Sequence, residues 1–280
     1  MFSFHRLRNA LTASLLAGLL AATTAAAATA PNQLQRVLAS GELRVCIWPD
    51  YYGITYRNPK TRQLSGIDID IATELGRELG VRIRHIDSSF PMLAEKLLGD
   101  QCDIAMHAVG ITPARSAVLA FTRPHLRSDI YAITSSNGSA IGNWDDLDRP
   151  GHVIAVQAGT LMQEVMQQTL KHATLLVVKP PQTRENETES GRADAFMTDY
   201  PYGKRMLDMT GWARMVAPPR PFHLTDYAYA LAPGDASLLE RVDRFMEGIK
   251  ADQRLRQFAR KHRLEILIRD GAGKPGQQAG

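Results

Sequence analysis

Cysteine is almost absent from this chain: Cys46 and Cys102 are the whole supply among 280 residues. Neither has a cysteine or histidine partner at metal-ligand spacing, which argues against a thiolate metal centre. Beyond the N-terminus, no uncharged stretch approaches the ~18 residues of a spanning helix, so nothing there is expected to cross a bilayer. Basic residues are scattered and the formal net charge is only +4, which leaves no electrostatic footprint for nucleic acid.

What is present begins with a targeting pattern. His5, Arg6 and Arg8 precede the uncharged, mostly apolar run from Ala10 to Ala22, and small residues follow. This reads as a secretory signal peptide over residues 1–28, cleaved after Ala28, and predicts an exported, soluble protein. Its loss removes Arg6 and Arg8 and lowers the net charge from +4 to +2. No cysteine follows the apolar run, so a lipid anchor is not indicated. Export permits a disulfide. Cys46 and Cys102 sit in the strand-like runs "LRVCIW" and "CDIAM". They bond if those strands are neighbours and are two buried thiols if they are not.

Strands and helices alternate along the rest. Strands over 43–48, 81–87 and 103–109 are separated by helices over 68–80 and 91–100. The rhythm repeats with strands over 152–156, 174–178, 193–199 and 226–231. A helix over 160–170 and a polar helical stretch fall between them. A long amphipathic helix follows, with Leu238, Leu239, Val242, Phe245, Met246 and Ile249 on one face. Such alternation predicts parallel sheets covered by helices, in two α/β units of about 100 residues each. The tail over 270–280 carries nothing that packs and reads as disordered.

Ligands of open α/β sheets bind beyond the carboxyl ends of the strands. Four segments fall there: Trp48 to Tyr52, "VGITPAR" (109–115), "QAGT" (157–160) and "TDYPY" (198–202). Each has a plain reading and a functional one. Arg115 is a solvated charge after a turn, or a cleft arginine. Thr160 caps a helix, or its amide helps to seat an anion beside Gly159. Asp199 is a helix cap, or a charge facing an ammonium. Tyr51 and Phe90 are ordinary aromatics, or walls against a ligand.

Singly none of these readings is decided; together the segments form a recognisable set. The segments "LSGIDIDIATELGRELGV" and "CDIAMHAVGITPARSAVLAFTRPHLRS" resemble the periplasmic amino-acid-binding proteins of ABC transporters, the extracellular solute-binding proteins of family 3. The likeness covers nearly all of the mature chain. Ala114 departs from it by replacing the usual acid, and His125 stands where an aromatic is common. The resemblance implies a type II periplasmic binding fold, with two Rossmann-like α/β lobes joined by a two-strand hinge. Lobe 1 would span 34–124 and 228–265, lobe 2 would span 130–222, and the hinge 125–129 and 223–227.

It further implies that Arg115 grips a ligand α-carboxylate and Asp199 its α-ammonium, while Tyr51 and Phe90 sandwich the side chain. Ala108, Gly110, Gln157 and Thr160 complete the expected ligand set, Gly110 by backbone only. Trp48 stands where relatives that bind basic amino acids carry an acid, which leaves side-chain specificity open. The expected partners are a small-molecule ligand, most simply an amino acid, and a membrane ABC permease. The protein would be a periplasmic monomer without cofactor or metal. The rival is an enzyme of the same fold, cyclohexadienyl dehydratase, whose general-acid glutamate position is occupied here by Tyr202. A ligand sensor for a membrane receptor would use the same cleft.

Overall fold

A computed structural model describes residues 30–269, so the expected signal peptide over 1–28 and the tail over 270–280 lie outside the described residues. Helix α1 (Gln33–Ser40) opens on Asn32, which accepts from the Gln35 N–H, and it stops at Gly41 in the left-handed region. β1 (Glu42–Ile47) follows, then a small antiparallel ribbon of β2 (Asp50–Tyr51), β3 (Thr55–Arg57) and β4 (Leu64–Ser65). α2 (Ile67–Leu79) starts at Gly66, where a Cβ would lie 2.1 Å from the Ile54 carbonyl oxygen. Only glycine fits there. The chain continues through β5 (Arg82–Asp87), α3 (Leu93–Leu98), β6 (Ile104–Gly110), α4 (Pro113–Ser116), β7 (Ala120–Phe121) and β8 (Leu126–Ser128).

After Asp129 it enters a second sheet. There it forms β9 (Ile130–Ser135), β10 (Val153–Gln157), α5 (Leu161–Thr169), β11 (Thr174–Val178), α6 (Arg184–Glu189), β12 (Ala195–Asp199), α7 (Tyr200–Met209) and β13 (Ala213–Val216). β14 (Thr225–Leu231) returns to the first sheet, and α8 (Ser237–Ala251) and α9 (Arg254–Lys261) pack behind it. The first sheet runs β5-β1-β6-β14-β7, with β8 also paired to β14; the second runs β11-β10-β12-β9-β13.

The expected parallel pairings form, and each sheet also carries antiparallel strands. β1 is parallel to β5 and β6, and β10 to β11 and β12, as the βαβ rhythm requires. β14 is antiparallel to β6, and β9 to β12 and β13. These strands carry the chain from one sheet to the other without a crossover helix, and only a crossover delivers a parallel neighbour.

All seven residues of β6 are buried at the centre of the first sheet. The second has its own core of Ile130, Ile154, Val156 and Met197. Cys46 of β1 pairs in register with Ala105 of β6, which brings it to Cys102 just before that strand. The two cysteines form a disulfide with Cα atoms 5.7 Å apart. Asp129 ties the two crossings together, accepting from the N–H groups of Ile130 (2.8 Å), Phe222 (2.9 Å) and His223 (2.7 Å).

Candidate ligand-binding cleft

Residues at or just beyond the carboxyl ends of β1, β6, β10 and β12 line one cavity between the two sheets. Of the expected set, Tyr51, Phe90, Ala108, Gly110, Arg115, Thr160 and Asp199 all face it. Gln157 does not; its carbonyl is turned into the β10–α5 loop, where it accepts from the Thr160 hydroxyl at 2.7 Å. The cavity measures about 30 Å³, room for roughly one or two waters. The aromatic side chains fill the rest: the Trp48 ring lies 5.1 Å from Tyr51, 5.4 Å from Phe90 and 5.8 Å from Tyr202.

Arg115 reaches the cleft through a distortion of β6. Ala108 has φ 47°, and the β6–β14 register slips between Ala228 and Ala230. The Asp68 carboxylate, fully buried at the start of α2, holds this turn by accepting from the Ala108 N–H at 2.8 Å and the Tyr229 hydroxyl at 2.8 Å. Thr112 then caps α4 through the Arg115 N–H, and the side chain folds back. Its guanidinium donates to the Gly110 carbonyl at 2.9 Å and, across the cleft, to the Gly159 carbonyl at 3.4 Å. It also stacks on Phe90 at 5.3 Å. Among the described residues no carboxylate lies within ion-pair distance of it. Burial lowers its affinity for the proton, yet an arginine stays charged. Glu164 acts on it only through its charge, without a hydrogen bond or ion pair between them.

Asp199 ends β12 and is 3% exposed. It caps α7 by accepting from the Tyr202 N–H at 3.3 Å, so the plain reading of this residue holds. It also accepts from the hydroxyls of Tyr51 and, at 3.0 Å, Tyr227. Burial raises its pKa above the ordinary aspartate value, against the pull of those three donors. Both tyrosines are pushed far up, by burial first and by the carboxylate second.

The β10–α5 turn differs from the expected open anion seat. Its amides are occupied: Ala158 N–H donates to Val178 O at 2.9 Å, Thr160 N–H to Gln157 O at 3.3 Å, and Gly159 N–H to Gln163 Oε1 at 2.8 Å. Thr160 makes no side-chain cap of α5 either. Gly159 is there for proximity, since a Cβ on it would meet Pro91 at 2.6 Å.

One wall was not foreseen. Arg184 of α6, 3% exposed, also lines the cavity. Its guanidinium sits over Tyr202 at 4.3 Å and Phe196 at 5.0 Å, and it donates to Met197 O and Glu185 at 3.0 Å each. Burial opposes its charge, but Glu185 restores it, and Glu185 in turn is kept ionised despite burial. Arg205 stacks on Tyr202 at 5.0 Å, donates to its hydroxyl at 3.0 Å and pairs with Asp50 at 2.8 Å. Arg184 lies in the polar segment "QTRENETES", which carries no apolar period to place it.

The similarity of the chain to known proteins agrees with this arrangement. Cyclohexadienyl dehydratase of Pseudomonas aeruginosa is 30% identical over 244 residues, 87% of this chain and 90% of that protein. The L-cystine-binding protein of Escherichia coli is 22% identical, over 92% of this chain and 96% of its own length. The solved structure of an ancestral amino-acid-binding protein, a precursor of cyclohexadienyl dehydratase, superposes with a TM-score of 0.74 at 26% identity, covering 82% of this chain and 99% of that one. The family model for bacterial extracellular solute-binding proteins, family 3, matches residues 43–265. With two α/β sheets facing one cleft, the chain belongs to the family 3 solute-binding proteins and has the type II periplasmic binding fold.

Proposed function

We propose that the protein is a periplasmic receptor that captures an α-amino acid or similar small zwitterion in this cleft and presents it to an ABC permease. The observation that carries the reading is Arg115: a cation with no carboxylate at ion-pair distance among the described residues, held on the first sheet and sharing one cavity with buried Asp199 of the second. A ligand with a carboxylate at Arg115 and an ammonium at Asp199 would join the two sheets. The lobes would comprise 34–124 with 228–265 and 130–222, and would close about the crossings that Asp129 links. A ligand favouring the closed form shifts the population that a permease, or a membrane receptor in a sensing role, would recognise. A thermal-shift screen against the amino acids tests it, since a guest of the folded state raises its melting temperature. No shift with any of them removes the proposal.

The dehydratase among the relatives favours a second reading, an elimination on a cyclohexadienyl acid. That chemistry needs a proton donor in the cleft. Tyr202 occupies the expected position, and burial pushes its hydroxyl far above neutral pH. Glu185 behind it is held ionised beside Arg184. Asp199 is the most readily protonated acid of the cleft, and it is tied down as an acceptor of two hydroxyls. We therefore read the chain as a receptor. Phenylpyruvate formed from prephenate by purified protein, and lost in Tyr202→Phe, would reverse this.

A further inference from the structure

We infer that the cleft selects an uncharged side chain, aromatic or bulky and apolar, and rejects lysine, arginine and the acidic amino acids. This rests on the receptor reading, and it deepens that reading by fixing the ligand class.

Charge decides the matter. Asp199 is the only acid among the described residues that line the cavity, and in the clamp it faces the α-ammonium. The two acids nearest the aromatic wall are already matched. Asp50 pairs with Arg205 at 2.8 Å, and Glu185 with Arg184 at 3.0 Å. Both of those guanidiniums stack on Tyr202. A cationic side chain would therefore enter beside two arginines, and Glu164, which acts on Arg115, lies outside the cavity lining; an unpaired buried charge is strongly disfavoured.

A second carboxylate fares no better. Arg115 is committed to the first one. The Arg184 guanidinium packs against both Phe196 and Tyr202, and two of its nitrogens are engaged by Met197 O and Glu185. Its charge is balanced before any ligand arrives. What remains is mostly apolar: Trp48, Phe90, Leu161 and Met162, with the rings of Tyr51 and Tyr202, beside the hydroxyl residues Thr160 and Thr198. Such walls take up apolar area and discriminate chiefly by leaving wrong charges unpaired.

Calorimetric titration of the wild-type protein with L-phenylalanine, L-leucine, L-glutamine, L-glutamate, L-lysine and L-arginine tests this directly. L-Phenylalanine or L-leucine should bind at least about tenfold more tightly than any of the other four. Equal or tighter binding of L-lysine, L-arginine, L-glutamate or L-glutamine overturns the inference and leaves the receptor reading standing. Failure of every amino acid to bind removes the receptor reading, and this inference with it.

Discussion

The hydroxyls of Tyr51 and Tyr227 donate to the same oxygen of Asp199, Tyr227 at 3.0 Å, although Tyr51 belongs to the ribbon after β1 and Asp199 to the second sheet. A ligand ammonium must share or displace these donors, and it needs the carboxylate ionised. Burial raises the Asp199 pKa, so affinity should be lost on acidification at a higher pH than an exposed aspartate would give. Binding favours the ionised form and should release a proton in that window. In the free protein the sign is opposite. A raised carboxyl pKa stabilises the fold below the unfolded value, and that contribution is lost as pH rises through the folded one. Tyr227→Phe removes a donor and should move the loss of affinity to still higher pH. Titrations in buffers of different ionisation enthalpy measure both effects; an affinity that stays flat into the ordinary aspartate range contradicts the role of Asp199.

Asp68 acts on the site through Ala108. It holds that residue at φ 47° by a 2.8 Å hydrogen bond to its N–H. Asp68→Asn should destabilise the fold by about 1–3 kcal/mol, the cost of leaving a buried hydrogen-bond partner unsatisfied. Ala108→Gly should be neutral or stabilising by about 1 kcal/mol, because glycine adopts this region without strain. Urea denaturation reports both. A large loss on Ala108→Gly would show that the Ala108 methyl, and not the turn, matters.

His107 is fully buried in β6 beside Phe90, and burial lowers its pKa to about 4 against 6.5 in the open chain. The Cys46 carbonyl and Asp68 pull it up and Arg115 pushes it down, without overcoming burial. The unfolded chain therefore takes up a proton that the fold refuses. The resulting stability is complete above pH 6.5 and is lost as pH falls toward about 4. It amounts to about 3 kcal/mol. His107→Leu should flatten the stability curve across this window by about one proton. An unchanged slope would mean that His107 protonates freely in the fold.

The disulfide joins residues 56 apart in sequence. Closing so long a loop restricts the unfolded chain, and replacing both cysteines by alanine should lower stability by about 2–4 kcal/mol. Chemical denaturation of the double variant measures it, with ligand affinity expected to change little because the bond lies outside the cavity lining.

The βαβ units were legible because their strands, and their helices apart from the polar α6, carry an apolar period long enough to count. β2 and β4 have two residues each, too few for any alternation. The antiparallel strands β9 and β13 lie outside the βαβ rhythm that organised the reading. Within the site, strand ends marked the segments of Arg115, Asp199 and Tyr51 as candidates, and the family resemblance placed those side chains in the cleft. The occupied amides around Gly159 were not legible, since they depend on how Gln163 and Val178 close over one turn. Arg184 was not legible either. What draws it in is the pair of rings, Phe196 and Tyr202, that flank its guanidinium from β12 and α7.

The central claim is that Arg115 and Asp199 hold opposite ends of one zwitterion. Calorimetry of Arg115→Ala, Asp199→Asn and the double variant, with the amino acid giving the largest thermal shift, tests it most directly. Each single change should leave a folded protein and weaken binding by about 2–5 kcal/mol, roughly thirtyfold to several thousandfold. The double variant should lose less than the sum, since both contacts are complete only in the closed cleft. A folded Arg115→Ala protein that binds within about threefold of wild type would contradict the clamp and return Arg115 to the end of an ordinary strand.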